Sequence, residues 1–193
     1  MPLRNTKYTY GAVAKTFHWL IFLLIAGLVI IGFLMESMPN SPDKFKLIGL
    51  HKSIGITVLT LVSLRLIWKL ANSSPLLPNT LNALEKLLAH AGHWALYALM
   101  FAMPLTGWAM SSAVGFPVSV FGWFTIPNLV SPDKALGGDL KYLHNTFAWV
   151  LIAMVSLHVL AALLHHFYYK DNVLTRMIPY GEKNAQNPDR IAE

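Results

Sequence analysis

His144 and His158 stand 14 residues apart in LKYLHNTFAWVLIAMVSLHVLAALLHHFYYKDN, residues 140–172, a stretch that also carries His165 and His166. An imidazole can ligate iron, copper or zinc, or move a proton near neutral pH. The surrounding residues are apolar enough for a membrane, and a titratable ring in hydrocarbon is costly without a partner. On a helix turning ~100° and rising ~1.5 Å per residue, positions 14 apart face the same way to within ~40° and lie about 21 Å apart along the axis. One helix therefore presents two histidines on one face at two depths. That pattern suits two metal-centred cofactors, provided other helices supply a second histidine at each depth.

The elements that must position them are read from hydropathy. The chain has 193 residues, 55% apolar and 12% charged, with a mean hydropathy of +0.49. A soluble domain carries roughly a quarter charged residues. Four apolar segments, 17–35, 50–68, 93–110 and 140–168, are long enough to cross a hydrocarbon layer of ~30 Å. The first is too long for the apolar region of a signal peptide, and no small-residue cleavage site follows it before MPNSPDK. The expected fold is all-α: an integral-membrane four-helix bundle, one domain over residues 1–178, followed by a polar tail over 179–193. With a cytoplasmic N-terminus, Arg4, Lys7, Lys15, Arg65, Lys69, Lys86, Lys170, Arg176, Lys183 and Arg190 fall on that side. Lys44, Lys46, Lys52, Lys134 and Lys141 fall on the other. The excess sets both termini inside. The net charge of +6 follows from that topology, and no basic stripe marks a nucleic-acid partner. The outer connection over 111–139 is long and aromatic, with Phe121, Trp123 and Phe124 as candidate interface anchors.

This topology pairs the histidines. His51 opens the second segment and lies at the outer level with His144. His18 opens the first and lies at the inner level with His158. Two histidines at one depth on facing helices are what a porphyrin iron with two axial imidazoles requires, and bundle cores are a standard place for such cofactors. His93 shares the inner depth, so spacing alone leaves His18 and His93 as alternatives; His90 lies three residues before it. Arg65, 14 residues after His51, falls at the inner level, where its charge can neutralise a haem propionate. Gly32, Gly55 and Gly107 lie on histidine-bearing faces, where a missing side chain lets a flat ring, or another helix, come close. Cysteine is absent, which excludes thioether-attached haem, cysteine-ligated iron–sulfur clusters and disulfides, so that a haem, if that is the cofactor, is of the non-covalent b type. A zinc site needs ligands converging on one point, whereas these histidines divide between two levels. His165 lies about 10 Å beyond His158 on the same face, nearer the membrane surface, and His166 points elsewhere.

The stretches FHWLIFLL at His18, LIGLHKSIGI at His51, LAHAGHWALY at His90 and His93, LHNTFAWV at His144 and LHVLAALLHHFYYKDNVLTRM from His158 resemble the small prokaryotic cytochrome b561 family. These are four-helix di-haem cytochromes that include a superoxide:ubiquinone oxidoreductase. The resemblance covers the chain apart from the long outer loop and the polar tail. It implies two haems b, with iron ligands His18 and His158 at the inner level and His51 and His144 at the outer one. It also implies ubiquinone at the cytoplasmic edge, contacting His93 and His165 as the groups that bind it and deliver its protons. Arg65, Gly55 and Lys52 complete the expected cofactor-binding set, and Lys44, Lys46 and Lys52 can steer an anionic donor. The expected activity is an oxidoreductase of the bacterial inner membrane, carrying electrons from a periplasmic donor, superoxide, to quinone. The alternative is an electron-transfer or anchor subunit serving a separate dehydrogenase as its redox partner protein.

Overall fold

The computed structural model describes residues 2–77 and 81–179. Four helices dominate: α1 (Ala12–Ser37), α2 (Pro42–Ala71), α3 (Ala83–Ala113) and α4 (Lys134–Phe167). Each is longer than its apolar segment, because capping residues outside the apolar run start the helix. The Ser41 hydroxyl accepts from Lys44 N–H (3.3 Å), with Pro42 at the first helical position. Asn82 and Glu85 close a reciprocal capping box, Asn82 Oδ1 accepting from Glu85 N–H (2.9 Å) and Glu85 Oε2 from Asn82 N–H (2.8 Å). Asp133 Oδ1 accepts from the N–H groups of Ala135 (2.9 Å) and Leu136 (3.1 Å), starting α4. α1, α2 and α4 are each long and apolar enough to cross a membrane. They leave Leu23, Ile30, Ile67, Leu157 and Leu160 exposed, a surface that suits lipid rather than water.

The described packing separates into two units. One comprises the described residues within Met1–Leu20, Ser63–Ala95 and Ala153–Glu193, and the other Ile21–Val62 and Leu96–Ile152. Each unit contains a segment of all four helices.

The connection between α3 and α4 is shorter than the 111–139 read from the sequence, and part of it forms paired strands. α3 continues to Ala113 and α4 begins at Lys134, so residues 114–133 form the loop. Within it β1 (Ser119–Val120) pairs antiparallel with β2 (Phe124–Thr125), Val120 opposite Phe124. The turn closes by a Trp123 N–H bond to the Val120 carbonyl (3.0 Å), with Phe121 (φ 50°) and Gly122 (φ 75°) both left-handed. That is the type I′ pattern that matches strand twist. Buried serines fasten the loop to the helices: Ser53 Oγ accepts from Phe121 N–H (2.9 Å) and Ser112 Oγ from Leu129 N–H (3.1 Å). Trp108 Nε1 donates to Pro127 O (3.0 Å). Phe121, Trp123 and Phe124 are exposed, as interface anchors require. The expected polar tail, from residue 180 onward, lies outside the described residues.

Candidate functional site

Five histidines gather into two clusters, one in each unit. In the unit of Ile21–Val62 and Leu96–Ile152, His51 on α2 and His144 on α4 have ring centroids 6.3 Å apart at 71°. α3 fixes the second ring. His144 Nδ1 donates to the Met103 carbonyl (3.1 Å) and lies 3.2 Å from Thr106 Oγ1. A carbonyl only accepts, so the hydrogen sits on Nδ1 and Nε2 keeps its lone pair, the form in which imidazole binds a metal. Gly107 lies against the same ring: a Cβ there would come within 3.1 Å of His144 Cε1. The glycine expected to admit a macrocycle on the His93 face of the helix thus makes room for His144 itself. A Cβ at Gly32 would lie 4.0 Å from His51 Cε1, whereas Gly55 faces open space.

In the other unit, His18 on α1 and His158 on α4 have centroids 6.2 Å apart at 43°, and His93 on α3 stands 5.4 Å from His158 at 80°. His93 Nδ1 is held by the Ala89 carbonyl (2.5 Å) and His90 Nδ1 by that of Lys86 (2.7 Å). Arg65 lies close enough for its charge to act on His18, His93 and His158, where the sequence arithmetic puts it. One turn on, Lys69 Nζ sits over the Trp94 ring, 4.5 Å from its centroid. His165 is paired with Asp171, Nδ1 to Oδ2 2.5 Å, and His166 is half-buried against Phe167. The chain after α4 packs back on this unit: Trp19 Nε1 donates to Met177 O (2.9 Å), and Arg176 donates to the Leu76 carbonyl. Partial burial lowers the pKa of Arg176, against the opposing pull of Asp171.

The prokaryotic cytochrome b561 family model matches residues 9–180. The chain is 35% identical over 179 residues to cytochrome b561 homolog 2 of Escherichia coli (strain K12), covering 92% of this chain and 95% of that protein. The chain belongs to the prokaryotic cytochrome b561 family. Cytochrome b561 homolog 1 of the same organism is 31% identical over 163 residues, covering 84% of this chain and 92% of that protein. A protein of Yersinia pestis named probable superoxide oxidase CybB is 32% identical over 172 residues, covering 88% and 96%. Cytochromes b561 of this family are helical membrane bundles that bind b-type haem and transfer electrons.

The residues present fit that group. A metal lies ~2 Å from an imidazole nitrogen, and the ring centroid about 1.1 Å further back, so two axial imidazoles place their centroids about 6.3 Å apart. The pairs at 6.2 and 6.3 Å meet that span, and His93–His158 at 5.4 Å falls short of it. His18 Nδ1 and His51 Nδ1 are buried without a hydrogen-bond partner among the described residues. Among the described residues no cluster of three or more His, Asp or Glu is arranged to hold a metal ion, so the tetrahedral zinc alternative has no ligand set.

Two features escape a sequence reading. The Met103 carbonyl that orients His144 is backbone, and no residue type announces it. Asp171 follows His165 by six residues across the end of a helix, a spacing that belongs to no helical face. Lys52 also differs from a free steering charge. Its Nζ is tied to Ser111 Oγ (3.1 Å), Pro117 O (3.2 Å) and Phe116 O (3.4 Å), all neutral.

Proposed function

We propose that the protein is an oxidoreductase of the bacterial inner membrane, with both termini cytoplasmic. It takes electrons from superoxide on the periplasmic side and passes them to ubiquinone on the cytoplasmic side. The observation that carries this reading is the pair of imidazole pairs, each at the spacing of two axial ligands. In this reading residues 1–178 form a di-haem domain, with His51 and His144 holding one haem b and His18 and His158 the second. Haem held by these histidines would supply one-electron redox chemistry.

The chain's own residues do the rest. Met103 O keeps His144 in the tautomer that leaves Nε2 for ligation. Arg65 offers a cation to the propionates beside His18 and His158. Gly55, with open space beside it, leaves room for a macrocycle near His51. At the superoxide side, Lys52 is a cation held in place by neutral oxygens, so its charge stays available to draw in an anion. Lys46 is paired with Asp43 (2.9 Å) and contributes less. Quinone reduction takes up two electrons and two protons, and His93 and His165 bind the quinone and deliver the protons. The likeness to the Yersinia pestis protein named probable superoxide oxidase supports the donor.

Stopped-flow mixing of the purified chain with superoxide, with and without ubiquinone, tests the reading. The expected result is haem reduction by superoxide alone and rapid reoxidation when ubiquinone is present. Haem that superoxide leaves oxidised, but that a co-purifying dehydrogenase reduces, would replace this reading with that of a subunit serving another enzyme.

A further inference from the structure

We infer that Asp171 is a positioning residue that holds His165 in its Nδ1–H tautomer, making Nε2 the nitrogen that hands a proton to the reduced quinone. The inference rests on the reading above that His165 serves the quinone. α4 ends at Phe167, where the N–H groups of Tyr168 (2.9 Å) and Tyr169 (3.1 Å) both turn back to the Leu164 carbonyl. Lys170 then adopts a left-handed conformation (φ 53°), uncommon for a residue with a side chain. That reversal lets Asp171 N–H reach the His165 carbonyl (3.1 Å) and returns the Asp171 carboxylate to the His165 ring, Oδ2 to Nδ1 2.5 Å. The other oxygen, Oδ1, accepts from Val173 N–H (2.9 Å). Arg176 is near enough for its charge to act on Asp171, and the Tyr169 ring covers His165 at 5.2 Å. The Asp171 side chain is 9% exposed and that of His165 20%.

Both carboxylate oxygens are thus committed, and the carboxylate cannot turn. An ionised carboxylate only accepts, so His165 Nδ1 carries a hydrogen whether the ring is neutral or charged. Proton exchange is confined to Nε2. As two electrons reach the quinone, the Nε2–H bond of a His165 imidazolium breaks and an O–H bond forms on a quinone oxygen. His165 returns to its neutral Nδ1–H form, still bonded to Asp171, and water restores the proton at Nε2. The second proton belongs to the reading above, where His93 delivers it. The arrangement repeats the logic by which a buried carboxylate sets the tautomer of a catalytic histidine.

A turn that merely ends the helix predicts something different, and Asp171→Asn separates the two. Because Oδ1 accepts from Val173 N–H, an amide here must put its carbonyl on that donor and point its NH₂ at His165 Nδ1. The shape is kept and the tautomer is inverted. The experiment is ¹⁵N NMR of ring-labelled histidine in the full-length, haem-loaded, reduced chain. It is run above the imidazole titration, with the His165 signal assigned by its loss in His165→Gln and paired with reoxidation kinetics by ubiquinone. The inference expects Nδ1–H in the wild type and Nε2–H in Asp171→Asn. It also expects unchanged haem spectra and reoxidation slowed on the order of 10²-fold, the usual scale for losing an acid–base group. Asp171→Glu keeps the tautomer and recovers most of the rate. A wild-type His165 in the Nε2–H form overturns the inference, as does an inverted tautomer with reoxidation at the wild-type rate. The reading beneath it is tested separately: His165→Ala reoxidising at the wild-type rate would remove His165 from quinone chemistry altogether.

Discussion

The His51–His144 cluster and the His18–His158 cluster share a spacing, 6.3 and 6.2 Å, and differ in almost everything around it. The first is braced by its neighbours. α3 holds His144 through a backbone carbonyl and a glycine, and an ordered loop is fastened by Ser53, Ser112, Trp108 and Lys52. Among the described residues no third histidine ring meets its two imidazoles. The second contains a third histidine, His93, and an arginine, and its unit also includes the His165–Asp171 pair and the chain that follows α4. Equal spacing with unequal surroundings fits a division of labour in the proposed function: one site would exchange electrons alone, and the other electrons together with protons.

The comparison breaks most visibly at the histidines. His144→Ala should remove one of two haems and leave the spectrum of the other, and His158→Ala should remove the complementary one. Loss of both in either variant, with the helical circular dichroism intact, would show that the sites are not independent. His93→Ala sharpens the assignment. Its 5.4 Å spacing from His158 is too short for an iron between them, so both haems should remain while reoxidation by quinone slows. Loss of a haem would instead make His93 a ligand.

The next effect is steric. Gly107→Val places branched carbons where a single Cβ already approaches His144 to 3.1 Å. Overpacking costs ~1–3 kcal/mol, and the variant should bind the His51–His144 haem weakly while the other spectrum is unchanged. A full complement of both haems would show that α3 yields there.

How far the sequence goes is clear from these same residues. That His51 meets His144, and that His158 meets His18 or His93, was legible because helical periodicity and depth act through side chains, while the choice between His18 and His93 was not. The helix ends were less legible, because Ser41, Asn82 and Asp133 begin helices well outside the apolar runs that mark them. The order of the 114–133 loop was hidden, since it rests on serine hydroxyls meeting backbone groups distant in sequence. Gly107 was correctly marked as a place of close approach, but which group approaches it depends on helix rotation that spacing alone leaves open.

Smaller effects test the surroundings. Arg65→Leu removes a cation beside His18, His93 and His158, so the reduced state becomes less favourable there. One midpoint potential should fall while the other holds in a redox titration; two unchanged potentials would leave Arg65 as a topological charge alone. Ser53→Ala removes the acceptor of Phe121 N–H and the donor to Ser119 O (3.1 Å) or Gly49 O (2.9 Å). It should cost about 1–3 kcal/mol, the scale for stranding a buried polar group, and show as a lower Tm with both haems retained.

The most direct test of the central claim is the haem content of the purified full-length chain, by pyridine haemochrome assay against protein mass. Two independent imidazole pairs predict two haems b per chain. A content of one haem per chain, in protein whose absorbance does not increase when haem is added, would contradict the account.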